Sequence, residues 1–235
     1  WTAGIGAGLL MLLLFGIFVH LEDLRYREAL RGQVIDKQGI LRASLEDKIN
    51  TNFHLTRGLI ALVSTYPDLS QETFHRVADY LIKHDNFIRN IALAPDNVIV
   101  YLHPIEGNEQ AIGLNYRENT KQWPAVEAIM TSGKSVVAGP VNLVQGGSAF
   151  ISRTPIYLES DSPGQRQRYW GLASIVIDKE PFLKAAGFYD TDPMIKIALR
   201  GVDGKGADGD FIAGDPEVLQ GDPVFSTVQI PDGSW

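Results

Sequence analysis

The sequence contains no cysteine, which excludes disulfide bonds, thiolate metal ligands and cysteine nucleophiles. It also has no cluster of lysine and arginine, and its net charge is -7. Phosphate contacts require concentrated positive charge, so we predict no binding to nucleic acid. The absence of cysteine does not identify the cellular compartment, because an exported domain can lack cysteine. With 45% hydrophobic and 21% charged residues among 235, the composition is that of a folded protein.

The usual motifs of cofactor-binding and catalytic sites are also missing. Residues 128–135 pass a loose phosphate-loop pattern, but a helix precedes and a strand follows them, which is the reverse of the required order. Residues 203–210 resemble a calcium loop in composition, yet Lys205 and Ala207 occupy ligand positions. No nucleophile, base and orienting group share a recognisable spacing. We therefore predict no cofactor, no metal site and no enzyme activity in this chain.

An uncharged apolar run lies between Thr2 and Val19. In a helix it would span roughly 27 Å, close to the hydrocarbon thickness of a bilayer. The residues that follow lack the small-x-small pattern of a signal-peptide cleavage site, which favours an uncleaved anchor over a cleaved signal peptide. We predict a transmembrane helix over residues 1–20, in contact with the lipid bilayer.

Apolar residues recur near every three and a half to four positions from Val34 to Val63, which predicts a long helix with one apolar stripe. We expect this stalk helix over residues 21–66, ended by Pro67. The stripe can pack on its own domain, on a second copy of the helix, or on both. We expect both, with a homodimer through the stalk helix; the alternative is a core helix of a monomer.

A second amphipathic helix is predicted to begin after Ser70 as its N-cap and to reach about His84. His75 and His84 lie off its apolar stripe. Because they are nine residues apart on a helix, they do not face each other, and we expect both side chains to be solvated.

Residues 87–157 are predicted to form an antiparallel sheet crossed by a helix. Strands are expected at 90–94 and 98–102, a helix from Trp123 to its C-cap Gly133, and strands after that. Such an arrangement leaves a cavity between sheet and helix, where small ligands bind. We select seven candidate ligand contacts: Tyr101, Glu106, Val126, Ala138, Gly139, Phe150 and Arg153.

Arg153 is unusual because it stands on a predicted central strand. Strand alternation places it on the opposite face from Phe150, Ser152 and Thr154. A buried charge needs a partner. Three remain open: an anionic ligand, a carboxylate such as Glu106, or solvent.

The second half begins at the polar loop of residues 159–168, which is typical of a junction. A continuously apolar strand follows at about 169–178, then a short helix from Glu180 to Gly187, and further strands near 194–199, 211–213 and 224–230. The fold class is α+β.

Five short motifs, NIALAP, HPIEGNE, SGKSVVAGP, LVQGG and SRTPIY, occur in an order and at separations that resemble a CHASE domain. This is the extracytoplasmic sensor module of bacterial receptor kinases and diguanylate cyclases and of plant cytokinin receptors. The resemblance runs from about residue 21 to residue 235. It implies two tandem PAS-like antiparallel-sheet units: a membrane-distal, ligand-binding unit at 67–158 and a membrane-proximal unit at 159–235.

The resemblance also implies a periplasmic or extracellular location at the cell (inner) membrane, with a cytoplasmic output domain outside this chain. Glu106 stands where the plant receptors have an aspartate that binds the adenine group of cytokinin, and Ala138 stands where they have a threonine. Because both positions differ, an adenine-like small molecule is one candidate ligand among several. The alternative to a sensor is a membrane-anchored dimerisation or protein-interaction module whose pocket is filled by its own side chains.

Overall fold

The computed structural model describes residues 2–83, 86–143, 146–159, 167–190 and 193–235, without the side chains of residues 2–7, 9 and 10. The predicted position of His84 lies outside these residues. The helices are α1 (Thr2–Thr65), α2 (Gln71–Ile82), α3 (Trp123–Ser132) and α4 (Lys179–Ala185). The strands are β1 (Ile88–Pro95), β2 (Tyr101–His103), β3 (Val136–Asn142), β4 (Ser148–Leu158), β5 (Arg168–Asp178), β6 (Ala198–Arg200), β7 (Phe211–Gly214), β8 (Gln229–Ile230) and β9 (Gly233–Ser234).

Helix α1 is one continuous helix that includes both the predicted membrane span and the predicted stalk. Leu45, Ile49, Leu59 and Val63 of its apolar stripe are buried in the domain core, so the packing of this stripe on its own domain is confirmed. Among the described residues, no helix is long and apolar enough to cross a membrane. Part of the predicted span, residues 1–7, 9 and 10, lies outside the side chains described.

The start of α2 confirms the predicted cap. Ser70 has an extended backbone, and its side-chain oxygen accepts a hydrogen bond from the backbone N–H of Thr73 at 3.2 Å. This bond satisfies one of the otherwise unpaired N–H groups of the first helical turn. Phe74 and Ala78 are then buried on the helix face that meets the sheet.

A five-stranded antiparallel sheet, in the order β2-β1-β5-β4-β3, forms the centre of the molecule. The predicted hairpin is the pair β1 and β2. Strand β5, which the sequence-based division placed in the second unit, lies between β1 and β4. The sheet therefore extends from residue 88 to residue 178 and does not end at 158. Its near-continuous apolar run suits this position, because a central strand is covered on both faces.

The two faces of the sheet are covered differently. Helices α1, α2 and α4 pack on one face, hereafter the stalk face, around a large core that includes Phe150, Ile175 and Phe182. Helix α3 covers the other face, hereafter the α3 face, over a smaller cluster that includes Val126, Ile129 and Leu172. Gly133 ends α3 with a left-handed backbone, as predicted.

The chain after α4 forms two small two-stranded sheets, β6 with β7 and β8 with β9. It is joined closely to the first sheet. Asp203 accepts a hydrogen bond from the backbone N–H of Gly139 at 2.8 Å, and Lys134 pairs with Asp232 at 2.7 Å. The Trp235 ring lies 4.6 Å from the Phe150 ring, so Trp235 belongs to the stalk-face core.

Candidate functional site

A row of residues crosses the α3 face through all five strands. Direct cross-strand partners, in the order of the strands, are Leu102, Ala92, Ser174, Arg153 and Val136. Residues directly opposite one another in a sheet project on the same side, about 4.5–5.5 Å apart at Cβ. Two of these five side chains are small, and one is a cation. The middle of the sheet on the α3 face therefore carries two small side chains beside a fixed positive charge.

Arg153 is the chemical centre of this row. Its exposed fraction is 4%. One terminal guanidinium nitrogen donates to Oε1 of Gln122 at 2.7 Å, and the guanidinium carbon lies 5.5 Å from the centre of the Tyr116 ring. Its Nε has no hydrogen-bond partner among the residues that the structure describes. Among the salt bridges of the described residues, none includes Arg153, so the charge is balanced only by an amide and a ring.

Further polar groups on this side of the molecule are buried without partners among the described residues. The hydroxyl of Ser174, directly opposite Arg153, is 3% exposed and is unpaired within the described part of the chain. In the β1–β2 turn, the Asn97 side chain accepts from the Tyr169 hydroxyl at 2.6 Å, while its amide nitrogen has no partner in the ranges that the structure describes. Burial raises the pKa of Tyr169, and the nearby Tyr157 raises it further, so this hydroxyl stays protonated as a donor. Leaving a buried polar group without a hydrogen bond is energetically costly.

These contacts exclude two of the three possible partners that the sequence left open for Arg153. Solvent is excluded by the burial of the side chain. Glu106 is exposed in the loop after β2 and forms no ion pair with Arg153 among the described residues. This loop is anchored through Asn108, which accepts from the side chain of buried Asn90 at 2.7 Å.

The seven candidate ligand contacts do not all face the same space. Val126 and Arg153 lie together on the α3 face, and Ala138 projects from β3 toward the same side. Tyr101 and Phe150 lie on the stalk face, where the Tyr101 ring is 5.6 Å from Phe74. The Tyr101 hydroxyl donates to the backbone oxygen of Leu69 at 2.6 Å, and burial raises its pKa.

Gly139 lies at an irregularity in the pairing of β3 with β4. Its φ is +102°, and a Cβ there would lie 2.8 Å from the backbone oxygen of Ala149. This glycine therefore lets two backbones approach each other, whatever part it has in ligand binding.

Replacement of Gly139 with alanine is expected to lower the free energy of unfolding by about 1–3 kcal/mol, because it adds a backbone clash to an unfavourable φ. Urea denaturation measures this loss. Gly113→Ala is the matched control, since Gly113 also has a positive φ of +81° but open space around its Cβ position. Equal losses in the two variants would show that the close approach at Gly139 contributes nothing.

Sequence reasoning missed Tyr116, Gln122 and Ser174. Tyr116 and Gln122 belong to a loop with no periodic pattern, and Ser174 lies within a run that was interpreted only as apolar. The sequence offered one indication of this site: Ser174 places a hydroxyl in the middle of a strand predicted to be buried on both faces.

Two open clefts lie away from this cluster. One, of about 640 Å³, is bordered by α1 and the Lys134–Asp232 ion pair and has Phe53 and Ile60 in its wall. The other, of about 510 Å³, lies near the α1–α2 turn and includes Asp68, Tyr101 and Arg168. Neither contains Arg153 or Ser174. We place the candidate site at Arg153, because this buried charge has no counter-charge within the described part of the chain.

Comparison with known proteins identifies the fold and the family. The CHASE domain pattern matches residues 96–212. No curated protein sequence matches the chain. The structure is similar to an extracellular ligand-binding receptor from Desulfohalobium retbaense, with a TM-score of 0.60 and 12% identity over 83% of this chain. The match covers 38% of that receptor.

Two chemoreceptor sensory domains have similar structures. The sensory domain of Tlp3 from Campylobacter jejuni has a TM-score of 0.58 and 13% identity, with 85% of this chain and 77% of that one covered. The ligand-binding domain of the amino acid chemoreceptor PctC from Pseudomonas aeruginosa, in complex with GABA, has a TM-score of 0.57 and 12% identity, with 84% and 93% covered. At such identities the likeness establishes the fold, while the family pattern confirms the resemblance seen in the short motifs. Through residues 96–212, the chain belongs to the CHASE domain family.

Proposed function

We propose that this chain is an extracytoplasmic sensor domain that binds a small carboxylate-bearing molecule between the sheet and α3, with Arg153 as the anchor. The observation that carries the proposal is a buried guanidinium with an unpaired Nε and no carboxylate partner among the described residues. A CHASE domain supplies the general role, and the site supplies the chemistry of the ligand.

Electrostatics favours an anion at this position. Transfer of one ion from water to the protein interior costs several kcal/mol. The amide of Gln122 and the ring face of Tyr116 offset only part of this cost. A planar carboxylate matches the forked donors of a guanidinium and accepts two hydrogen bonds from it. The Ser174 hydroxyl, directly opposite on β5, offers a further donor.

The surroundings of the charge limit the rest of the ligand. Ala92 and Ala94 of β1 and Leu172 of β5 line the α3 face, and Val126 and Ile129 cover it from α3. A ligand here has a charged end and a small, largely apolar body. Structures with this fold include Tlp3 with isoleucine bound, Tlp3 with L-valine and PctC with GABA, and each of those ligands carries a carboxylate.

Helix α1 is the proposed route of signal transfer. We place the chain at a membrane, as a homodimer through α1, with its output in a cytoplasmic domain outside this chain. The supporting observation is that Met11, Leu14, Phe18 and Leu21 of α1 are exposed apolar side chains. A ligand shifts such a system only through different affinities for two arrangements of the domain.

A thermal-shift screen tests the ligand class. Amino acids, organic acids and adenine derivatives are compared with carboxamide analogues of the same skeletons. A ligand at 100 times its dissociation constant that binds only the folded protein should stabilise it by about 2.7 kcal/mol, which is a shift of several degrees. We expect a carboxylate to raise the melting temperature and its carboxamide to leave it unchanged.

Two other results would change the assignment. A shift with adenine derivatives alone would reject the carboxylate and favour the adenine-like candidate. No shift with any class, in a protein that dimerises, would reject the sensor and favour the dimerisation module.

A further inference from the structure

Two histidines meet where α2 packs on β2. Nδ1 of His75 lies 2.9 Å from Nδ1 of His103, and the ring centres are 5.1 Å apart at 80°. His75 was expected to be solvated from its position off the apolar stripe. It is instead half-buried against β2, where it contacts His103, a residue 28 positions later in the sequence.

The neighbours of the pair assign its protons. The amide nitrogen of Gln71 lies 2.9 Å from Nε2 of His75, and it can only donate. Nε2 of His75 therefore accepts, which puts the His75 proton on Nδ1. That nitrogen then donates to Nδ1 of His103, whose own proton lies on Nε2. Asp79, one turn after His75 on α2, has a carboxylate oxygen 3.7 Å from that Nε2.

The other groups around His103 do not compensate a second charge. Its partner on β1 is Ile91, which does not titrate. Tyr101, on the same side of β2, is bonded to Leu69, and the carboxylate of Asp68 in the α1–α2 turn acts on Tyr101. His75 and Asp79 from α2 are thus the titratable groups facing His103 among the described residues.

We infer that His75 and His103 form a proton-sensitive clasp that holds α2 on the sheet near neutral pH and loosens it in an acidic medium. The hydrogen bond needs an unprotonated Nδ1 on His103. When that nitrogen takes a proton, two N–H donors face each other across 2.9 Å and the hydrogen bond is lost.

The direction of the pKa change agrees with this geometry. Burial lowers the pKa of His103, the nearby His75 lowers it further, and Asp79 acts in the opposite sense. A histidine whose pKa is lower in the folded than in the unfolded chain stabilises the fold fully above the unfolded value, near 6.5. That stability is lost as the pH falls through this value, and the loss is complete below the folded pKa.

The clasp reaches the loop on the other side of the sheet. His103 is the last residue of β2, and the loop after it carries Asn108, which bonds to Asn90 on the α3 face. A protein whose domain lies outside the cytoplasm meets changes of external pH directly. The inference does not depend on Arg153 or on the identity of any ligand.

Proton NMR of the histidine rings between pH 8 and pH 5, in EDTA, tests the clasp. We expect His103 to titrate below its ordinary value, and its midpoint to rise in His75→Gln. In parallel, the melting temperature of the wild type is expected to fall on acidification more steeply than that of His103→Gln. His54→Gln, which changes an exposed histidine of α1, is the control and should follow the wild type.

The inference is overturned if His103 titrates at or above the ordinary imidazole value, or if its midpoint is unchanged in His75→Gln. It is also overturned if the pH dependence of melting is the same in His103→Gln as in the wild type. Should His103→Gln fail to fold, the two NMR midpoints decide the matter alone.

Discussion

Replacement of Arg153 with methionine is expected to raise the free energy of unfolding of the unliganded protein by about 1–3 kcal/mol, the usual penalty for a buried group with an unsatisfied donor. The substitution removes a buried charge that has no carboxylate partner among the described residues, and it keeps a long apolar side chain beneath α3. The same change should abolish the thermal shift caused by the carboxylate ligand. Stability gained together with binding lost is the signature of a residue kept for a ligand. Urea denaturation and the thermal-shift assay measure the two effects.

Two variants separate this role from a structural one. Arg153→Lys keeps the charge but loses the planar fork, so weakened binding with little change in stability is expected. Arg168→Met changes an exposed arginine on neighbouring β5 and should alter neither quantity. If Arg153→Met instead destabilises the protein by more than about 1 kcal/mol and the ligand response persists, the hydrogen bond to Gln122 is structural and the anchor lies elsewhere.

Replacement of Phe182 with alanine is expected to cost about 3–5 kcal/mol of stability. Phe182 is 0% exposed, and its ring centre lies 5.7 Å from Phe87, 5.7 Å from Phe150 and 6.2 Å from Trp235. These rings come from α4, from the residue before β1, from β4 and from the residue after β9. One truncation therefore leaves a cavity where the two halves of the protein meet.

Urea denaturation, with hydrogen exchange as the local probe, measures this effect. Loss of protection should extend to β4 and to the segment that ends at Trp235. Phe225→Ala is the matched control, because this phenylalanine is 74% exposed and its removal should change stability by less than about 0.5 kcal/mol. A loss below about 1 kcal/mol for Phe182→Ala would mean that the two halves are stabilised independently.

Structural features that depend on a few neighbouring residues were predictable from the sequence. The N-cap at Ser70, the C-cap at Gly133 and the hairpin of β1 with β2 each depend on a few neighbouring residues. The apolar stripe of α1 was equally readable, because its period is that of a helix. Alternation along β4 correctly separated Arg153 from Phe150.

Contacts between segments that are distant in sequence were not predictable. Alternation shows which residues of one strand share a face, but it does not say which face meets which helix. Tyr101 and Phe150 were therefore grouped with Arg153, although they lie on the stalk face. The opposition of Ser174 to Arg153 depends on strand register, and the contact of His75 with His103 depends on how α2 is placed on the sheet.

The packing of α1 gives the sheet an amplifying geometry. Ser174 faces the candidate site, while its neighbours Ala173 and Ile175 face the stalk-face core, so a single strand separates the candidate site from α1. Side chains 11–33 of α1 are exposed, and the helix extends about 50 Å beyond Val34, its first half-buried residue, at a rise of 1.5 Å per residue. A tilt of about 2° at the sheet displaces the far end by about 2 Å over that length. For a helix that moves as a rigid body, the displacement caused by a given tilt at the sheet is therefore largest at the exposed end of α1.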